Sequence, residues 1–200
     1  MALLGEKVDA DDVIKVNGEV VTNDDRKIYI AYNKPKGIIC TESNVEKNKK
    51  ISDVIKSWGL GKRLFTIGRL DKDTTGLILI TNDGSLAKEI TNTHKEYEKE
   101  YEVRVNKAID DKFVEKIQKG VYLSEIDKTT KPCKIKRYKG EGSDYRFNII
   151  IKQGLNRQVR RMCKELGYHV TSLKRVRVIN YKLGDLKIGE YKEITKKDIF

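Results

Sequence analysis

Four consecutive apolar residues, Leu77-Ile78-Leu79-Ile80, stand between Gly76 and the turn-forming Asn82-Asp83-Gly84, and this run limits the fold more than any other part of the chain. A strand sends successive side chains to opposite faces, so an unbroken apolar run describes a strand covered on both. A second apolar patch, Leu64-Phe65-Thr66-Ile67, comes shortly before it. Between them lies the polar segment Gly68-Arg69-Leu70-Asp71-Lys72-Asp73-Thr74-Thr75-Gly76, which is thereby a loop between two buried strands.

Elsewhere the pattern moves between periods of two and 3.6. Gly5 to Val21 reads as a short strand, the turn Asn17-Gly18 and a second strand, and Thr22 to Arg26 as a polar linker. Lys27 to Asn33 alternates through Ile28, Ile30 and Tyr32 until Pro35 ends it; Thr41 to Lys50 is a lysine-rich, aperiodic basic loop expected to be mobile. Ile51, Val54, Ile55 and Trp58 recur at helical spacing, and Ser85 is expected to cap a helix reaching about Thr91. Lys99 to Val105 alternates, Asp110 and Asp111 open a helix that Gly120 stops, and strands are predicted at Lys134 to Tyr138 and Tyr145 to Lys152. Asn156 begins a basic helix to about Leu166 with Gly167 as its stop, and strand-like segments around His169 to Ile179 and Tyr191 to Thr195 close the chain. Helices and strands mixed without regular alternation favour an α+β fold, and no internal repeat is visible.

With 200 residues, 38% of them hydrophobic, the chain can bury a proper core. Lys and Arg outnumber Asp and Glu by 42 to 30, giving a formal charge of +12, so polyanions are the natural partners, although a lysine-rich surface can serve solubility alone. Cys40, Cys133 and Cys163 form no C-x-x-C pair and read as reduced thiols, which excludes a disulfide framework and a zinc site. His94 and His169 are the only histidines, too few for histidine metal sites or a Ser-His-Asp arrangement. No apolar signal core or membrane-spanning stretch is present, so the expected location is the cytoplasm.

Three constellations could carry chemistry. In the Gly68 to Gly76 loop, Arg69 and Asp71 lie two apart and point the same way if the backbone is extended; a solvated turn is the commoner outcome for such a composition. Asp71, Asp73, Thr75 and Gly76 also mimic the start of a calcium loop, but the twelfth position is Asn82 and a strand follows where a helix should, so calcium binding is rejected. Arg157, Arg160 and Arg161 sit near a helix start, where guanidinium forks suit phosphate; arginine in a lysine-rich chain argues for planar recognition over a merely solvated face. Alternation in Tyr97-Glu98-Lys99-Glu100-Tyr101-Glu102-Val103 places Tyr97, Lys99, Tyr101 and Val103 on one face, which could stack and orient a base or simply be core. Lys174, Arg175 and Arg177 add positive charge near the end of the chain.

Together these motifs resemble those of the bacterial ribosomal RNA pseudouridine synthases, the group of the small-subunit type A and large-subunit types B, E and F enzymes. Gly68-Arg69-Leu70-Asp71-x-Asp73-Thr74-Thr75-Gly76-Leu77 with Thr81-Asn82-Asp83-Gly84 is similar to the catalytic motif, Asn33-Lys34-Pro35-Lys36-Gly37 to the opening strand and Lys99-x-Tyr101 to the tyrosine motif. Gly154-x-Asn156-Arg157-Gln158-Val159-Arg160-Arg161-Met162 is similar to the basic helix, and Leu173-x-Arg175 completes the set, over about residues 27 to 196. Lys119-Gly120-Val121 and Thr130-Lys131-Pro132 look closest to large-subunit type F.

The resemblance implies a mixed, mainly antiparallel sheet flanked by helices around a central cleft, and isomerisation of uridine to pseudouridine in large-subunit ribosomal RNA, with a structured transfer RNA loop as another target, by a monomer using no cofactor and no metal. Asp71, Tyr101 and Arg160 would be catalytic: Asp71 as nucleophile or base, Arg160 paired with it and keeping it ionised, Tyr101 stacked on the uracil. Arg69, Lys99, Asn156, Arg157, Gln158, Arg161, Leu173 and Arg175 would bind substrate, with Leu173 packed on the base and Arg69 holding the nucleotide out of its stack. Residues 1–24 would be the remnant of an N-terminal RNA-binding domain plus linker, shortened or begun at a cloning junction, and 25–200 the catalytic domain. The alternatives are a non-catalytic RNA-binding or ribosome-assembly protein on the same fold and a basic nucleic-acid module without a cleft.

Overall fold

A computed structural model describes residues 12–20, 26–41, 49–140 and 142–200. Most of the linker and most of the basic loop expected from the sequence lie outside the described residues, as does the start of the N-terminal strand pair. Its remainder, β1 (Lys15–Val16) and β2 (Glu19–Val20), is an antiparallel hairpin. Asn17 and Gly18 both take positive φ, 53° and 86°, the twist that a two-residue hairpin turn requires.

The elements then run β3 (Tyr29–Lys34), α1 (Ile51–Ser57), β4 (Phe65–Ile67), β5 (Thr75–Thr81), α2 (Gly84–Thr91), β6 (Lys99–Val105) and α3 (Asp111–Lys119). There follow β7 (Tyr122–Leu123), β8 (Lys128–Thr129), β9 (Lys134–Arg137), β10 (Arg146–Ile151), α4 (Gln158–Glu165), β11 (Val170–Val178), β12 (Tyr181–Lys182), β13 (Tyr191–Ile194) and α5 (Lys196–Ile199). A nine-stranded sheet takes the order β13-β3-β5-β11-β6-β10-β9, with β12 beside β11 and β4 beside β5. Every pairing in it is antiparallel except that of β5 with β11. The fold is α+β, as expected. The short β7–β8 arm and the terminal helix went unpredicted, being too brief to show a period.

Alternation along β5 explains why its apolar run is unbroken. Ile78 and Ile80 enter a core shared with Ile51 and Ile55 of α1, while Leu77 and Leu79 enter another with Leu86 and Ile90 of α2. A third core joins Val103, Phe147 and Ile149 of the sheet to Phe113 and Ile117 of α3 and Met162 of α4. Tyr101 packs against both this core and that of α1, so it stands where the two halves of the molecule meet.

The cap of α2 differs from expectation. Asp83, not Ser85, adopts the extended conformation of a cap, and its Oδ1 accepts from the Leu86 amide at 3.0 Å, while Oδ2 accepts from the Tyr29 hydroxyl at 2.9 Å. The Leu86 amide bond, ahead of the Tyr29 bond, holds the Asp83 carboxyl below its usual 3.8. A carboxyl depressed by folding contributes stability above its unfolded value and loses it as the pH falls through the folded one. Asp83→Ala should therefore cost about 1–2 kcal/mol in urea unfolding at neutral pH, and the deficit should close as the pH drops well below 3.8.

Candidate active site

The loop carrying Asp71 is held on three sides. Leu70 is buried among the side chains around α1, the Gly37 amide donates to the Lys72 carbonyl at 2.8 Å, and the Thr74 amide closes a turn on the Asp71 carbonyl at 3.1 Å. Beneath it lies Lys34, fully buried at the end of β3, its Nζ donating to the carbonyls of Pro35 and Ile38, each at 2.9 Å. Burial pushes the Lys34 ammonium below its usual range; the nearby charges of Cys40, Asp71 and Asp73 work the other way. Lys34 belongs to the motif Asn33-Lys34-Pro35-Lys36-Gly37 but was not among the expected site residues. A lysine inside an otherwise buried strand was the available signal.

Just beyond the loop, Thr75 and Gly76 run parallel to Lys174 and Arg175 of β11. This parallel pair is the seam between the two halves of the sheet. Gly76 has φ 100°, and a Cβ built on it would lie 2.2 Å from the Arg175 carbonyl oxygen, so the close approach requires glycine. Arg175 is buried, and its Nε donates to the Leu77 carbonyl at 2.7 Å, which locks the seam from the other strand.

Over the seam opens a cleft of about 630 Å³. Arg69, Asp71, Lys99, Tyr101 and Leu173 line it, as do Asn156, Arg157, Gln158 and Arg175. Lys99 and Tyr101 leave the same face of β6, and Lys99 donates to the Tyr97 carbonyl at 3.3 Å; burial first, then Arg175, lowers the pKa of its ammonium. Gln158 is buried, bonded to the Leu155 amide and Gln153, so it shapes the wall more than it offers free polar atoms.

Three expectations need correction. Arg160 does not reach the Asp71 carboxylate: its guanidinium donates to the Val170 and Asp73 carbonyls, each at 3.2 Å, and it lines an adjoining hollow. The ion pair with Asp71 comes from Arg157, Nη1 to Oδ2 at 3.6 Å. The cause is local, because Arg157 is the N-cap of α4 in the left-handed conformation, φ 51°, and only from Gln158 does the helix carry side chains away. Arg161 also faces the hollow instead of the cleft. Tyr97 precedes β6, and its hydroxyl goes to Glu89, outside the cleft. Of the basic residues near the end of the chain, Arg175 is buried and Arg177 pairs with Glu98 at 2.9 Å and Glu100 at 3.0 Å.

Sheet order, seam and cleft define the class: an α+β protein with the pseudouridine synthase fold. A crystal structure of a pseudouridylate synthase matches with a TM-score of 0.78 and 31% identity, covering 97% of this chain and 81% of that one. The family model described as RNA pseudouridylate synthase matches residues 28–165, and the chain belongs to that family. It is 40% identical over 200 residues to a Salmonella typhi protein named dual-specificity RNA pseudouridine synthase RluF, covering 99% of this chain and 66% of that relative. It is 32% identical over 196 residues to the Bacillus subtilis ribosomal large subunit pseudouridine synthase B, covering 98% of this chain and 79% of the relative. The chain thus spans just under two thirds of the length of its RluF relatives.

Proposed function

We propose that the protein is an RNA pseudouridine synthase acting on uridine in large-subunit ribosomal RNA, and on a transfer RNA as well, as a cytoplasmic monomer needing no cofactor or metal. The names of its relatives support the RNA classes, the dual-specificity name supporting the second. The observation that carries the reading is Asp71 on a clamped loop, ion-paired to Arg157, in one cleft with Tyr101. On this reading residues 25–200 form the catalytic domain and 1–24 the remnant of an RNA-binding domain.

The reaction breaks the bond from ribose C1′ to uracil N1 and forms one from C1′ to C5, while the C5 proton leaves and N1 gains one. Atoms balance with no oxidant or reductant. Asp71 acts on the ribose as nucleophile, or as the base that assists cleavage, and Arg157 lies beside its carboxylate, Nη1 to Oδ2 at 3.6 Å. Tyr101 stacks on the uracil and takes part in removal of the C5 proton, with Leu173 packed on the base and Arg69 and Lys99 holding the flipped nucleotide. Arg160 acts through the loop backbone, by its bond to the Asp73 carbonyl.

Tritium release from RNA labelled at uridine C5 measures the activity. A wild-type protein that binds RNA and releases none would establish the non-catalytic alternative. Tyr101→Phe should leave RNA affinity unchanged and slow release by roughly 10²–10⁴-fold, the span for one positioned acid–base group; an unchanged rate restricts Tyr101 to stacking.

A further inference from the structure

We propose that the hollow beside the cleft seats a backbone phosphate of the RNA next to the target nucleotide, and that Glu125 is an internal stand-in which this phosphate displaces. The inference rests on the RNA-substrate reading above. Arg157, Arg160, Arg161 and Lys164 line this hollow of about 210 Å³, and Glu125 is the one carboxylate among its lining residues. Arg157 also lines the larger cleft, so the two cavities share a wall, and a strand with its uridine in one is led past the other.

Two of the cations are already engaged, Arg157 with Asp71 and Arg160 with main-chain carbonyls. Arg161 and Lys164 face the anion. Arg161 is preset, because its Nε and Nη2 donate to the carbonyl and side-chain oxygens of Asn156, both at 3.0 Å, and leave Nη1 for Glu125. Glu125 gives one carboxylate oxygen to Arg161 and the other to Lys164. Two anionic oxygens, each on a separate cation, reproduce the non-bridging oxygens of a phosphodiester in charge and placement.

The β7–β8 arm delivers the glutamate. The Ser124 amide and hydroxyl both donate to Glu165 on α4, at 3.0 and 2.6 Å, and Leu123 is fully buried, so the residue before Glu125 is fastened while its own side chain stays 42% exposed. On the glutamate's side these ion pairs are open to water, which screens them and leaves them weak. The carboxylate can therefore leave for solvent when a phosphate arrives, and a chain without RNA avoids bringing two unpaired cations together.

Anisotropy titration of a fluorescein-labelled RNA stem-loop with uridines in its loop tests this, using three variants of exposed residues. Glu125→Gln should tighten binding about 3–10-fold at low salt, beyond the gain from Glu193→Gln, which makes the same charge change on the edge strand β13. Lys164→Gln should weaken binding and reduce the slope of log affinity against log salt by about one. Equal effects of the two glutamate variants, or an unaltered slope for Lys164→Gln, overturn the proposal. Wild-type protein that binds this RNA but releases no tritium overturns the proposed activity and leaves the binding series to decide the phosphate seat. Failure to bind RNA overturns both.

Discussion

Asp71→Asn protein should release no measurable tritium from RNA labelled at uridine C5, a loss of at least about 10³-fold, or roughly 4 kcal/mol of transition-state stabilisation. The amide keeps the size of the carboxylate but can neither attack the ribose nor take a proton. Asp71 is partly exposed, and its loop is held by the burial of Leu70 and by main-chain bonds that the substitution leaves alone. The variant should therefore melt within a few degrees of wild type and bind RNA with similar affinity. Release at the wild-type rate would remove Asp71 from the mechanism.

Gly76→Ala should be the most damaging small substitution in the chain. The alanine Cβ would sit 2.2 Å from the Arg175 carbonyl oxygen and 2.7 Å from its amide nitrogen, on backbone with φ 100°. Backbone cannot step aside as a side chain can, so the seam must part. Strain of about 1–3 kcal/mol at the residue and a similar cost of overpacking suggest a total of at least about 3 kcal/mol. At roughly 2–4 °C per kcal/mol for a chain of this size, the melting temperature should fall by about 10 °C. Gly84→Ala is the control: it lies in α2 with nothing within 4 Å of the added carbon, and should be neutral or slightly stabilising. Similar melting of the two variants would show that the approach at Gly76 is not tight.

Much of the layout was legible because burial leaves a period behind. The run at Leu77 to Ile80 marked a strand covered on both faces, and alternation marked β6 with its bounds, because each of these strands packs against a core with a fixed face. Asp71 was legible as a polar residue trapped between two such strands. The errors share a cause in single backbone angles. Asp83 displaced Ser85 as the cap because the chain turns into α2 two residues sooner, and Arg157 displaced Arg160 as the partner of Asp71 because it takes a left-handed conformation that composition does not announce in a non-glycine residue. Tyr97 left the cleft because β6 begins only at Lys99. The Glu125 arm was invisible for another reason: strands of two residues carry no period at all.

The seam beneath Asp71 also sets an order of events during synthesis. Leu77 and Arg175, which lock it, are 98 residues apart in the chain. At about 5–20 residues per second, a ribosome needs roughly 5–20 s to make the stretch between them. Throughout that interval β3, β4 and β5 can pair among themselves, but the edge of Thr75 and Gly76 that later meets β11 has no partner strand. The cleft is consequently among the last parts of the molecule to assemble, and a nascent chain has no organised site until β11 has emerged.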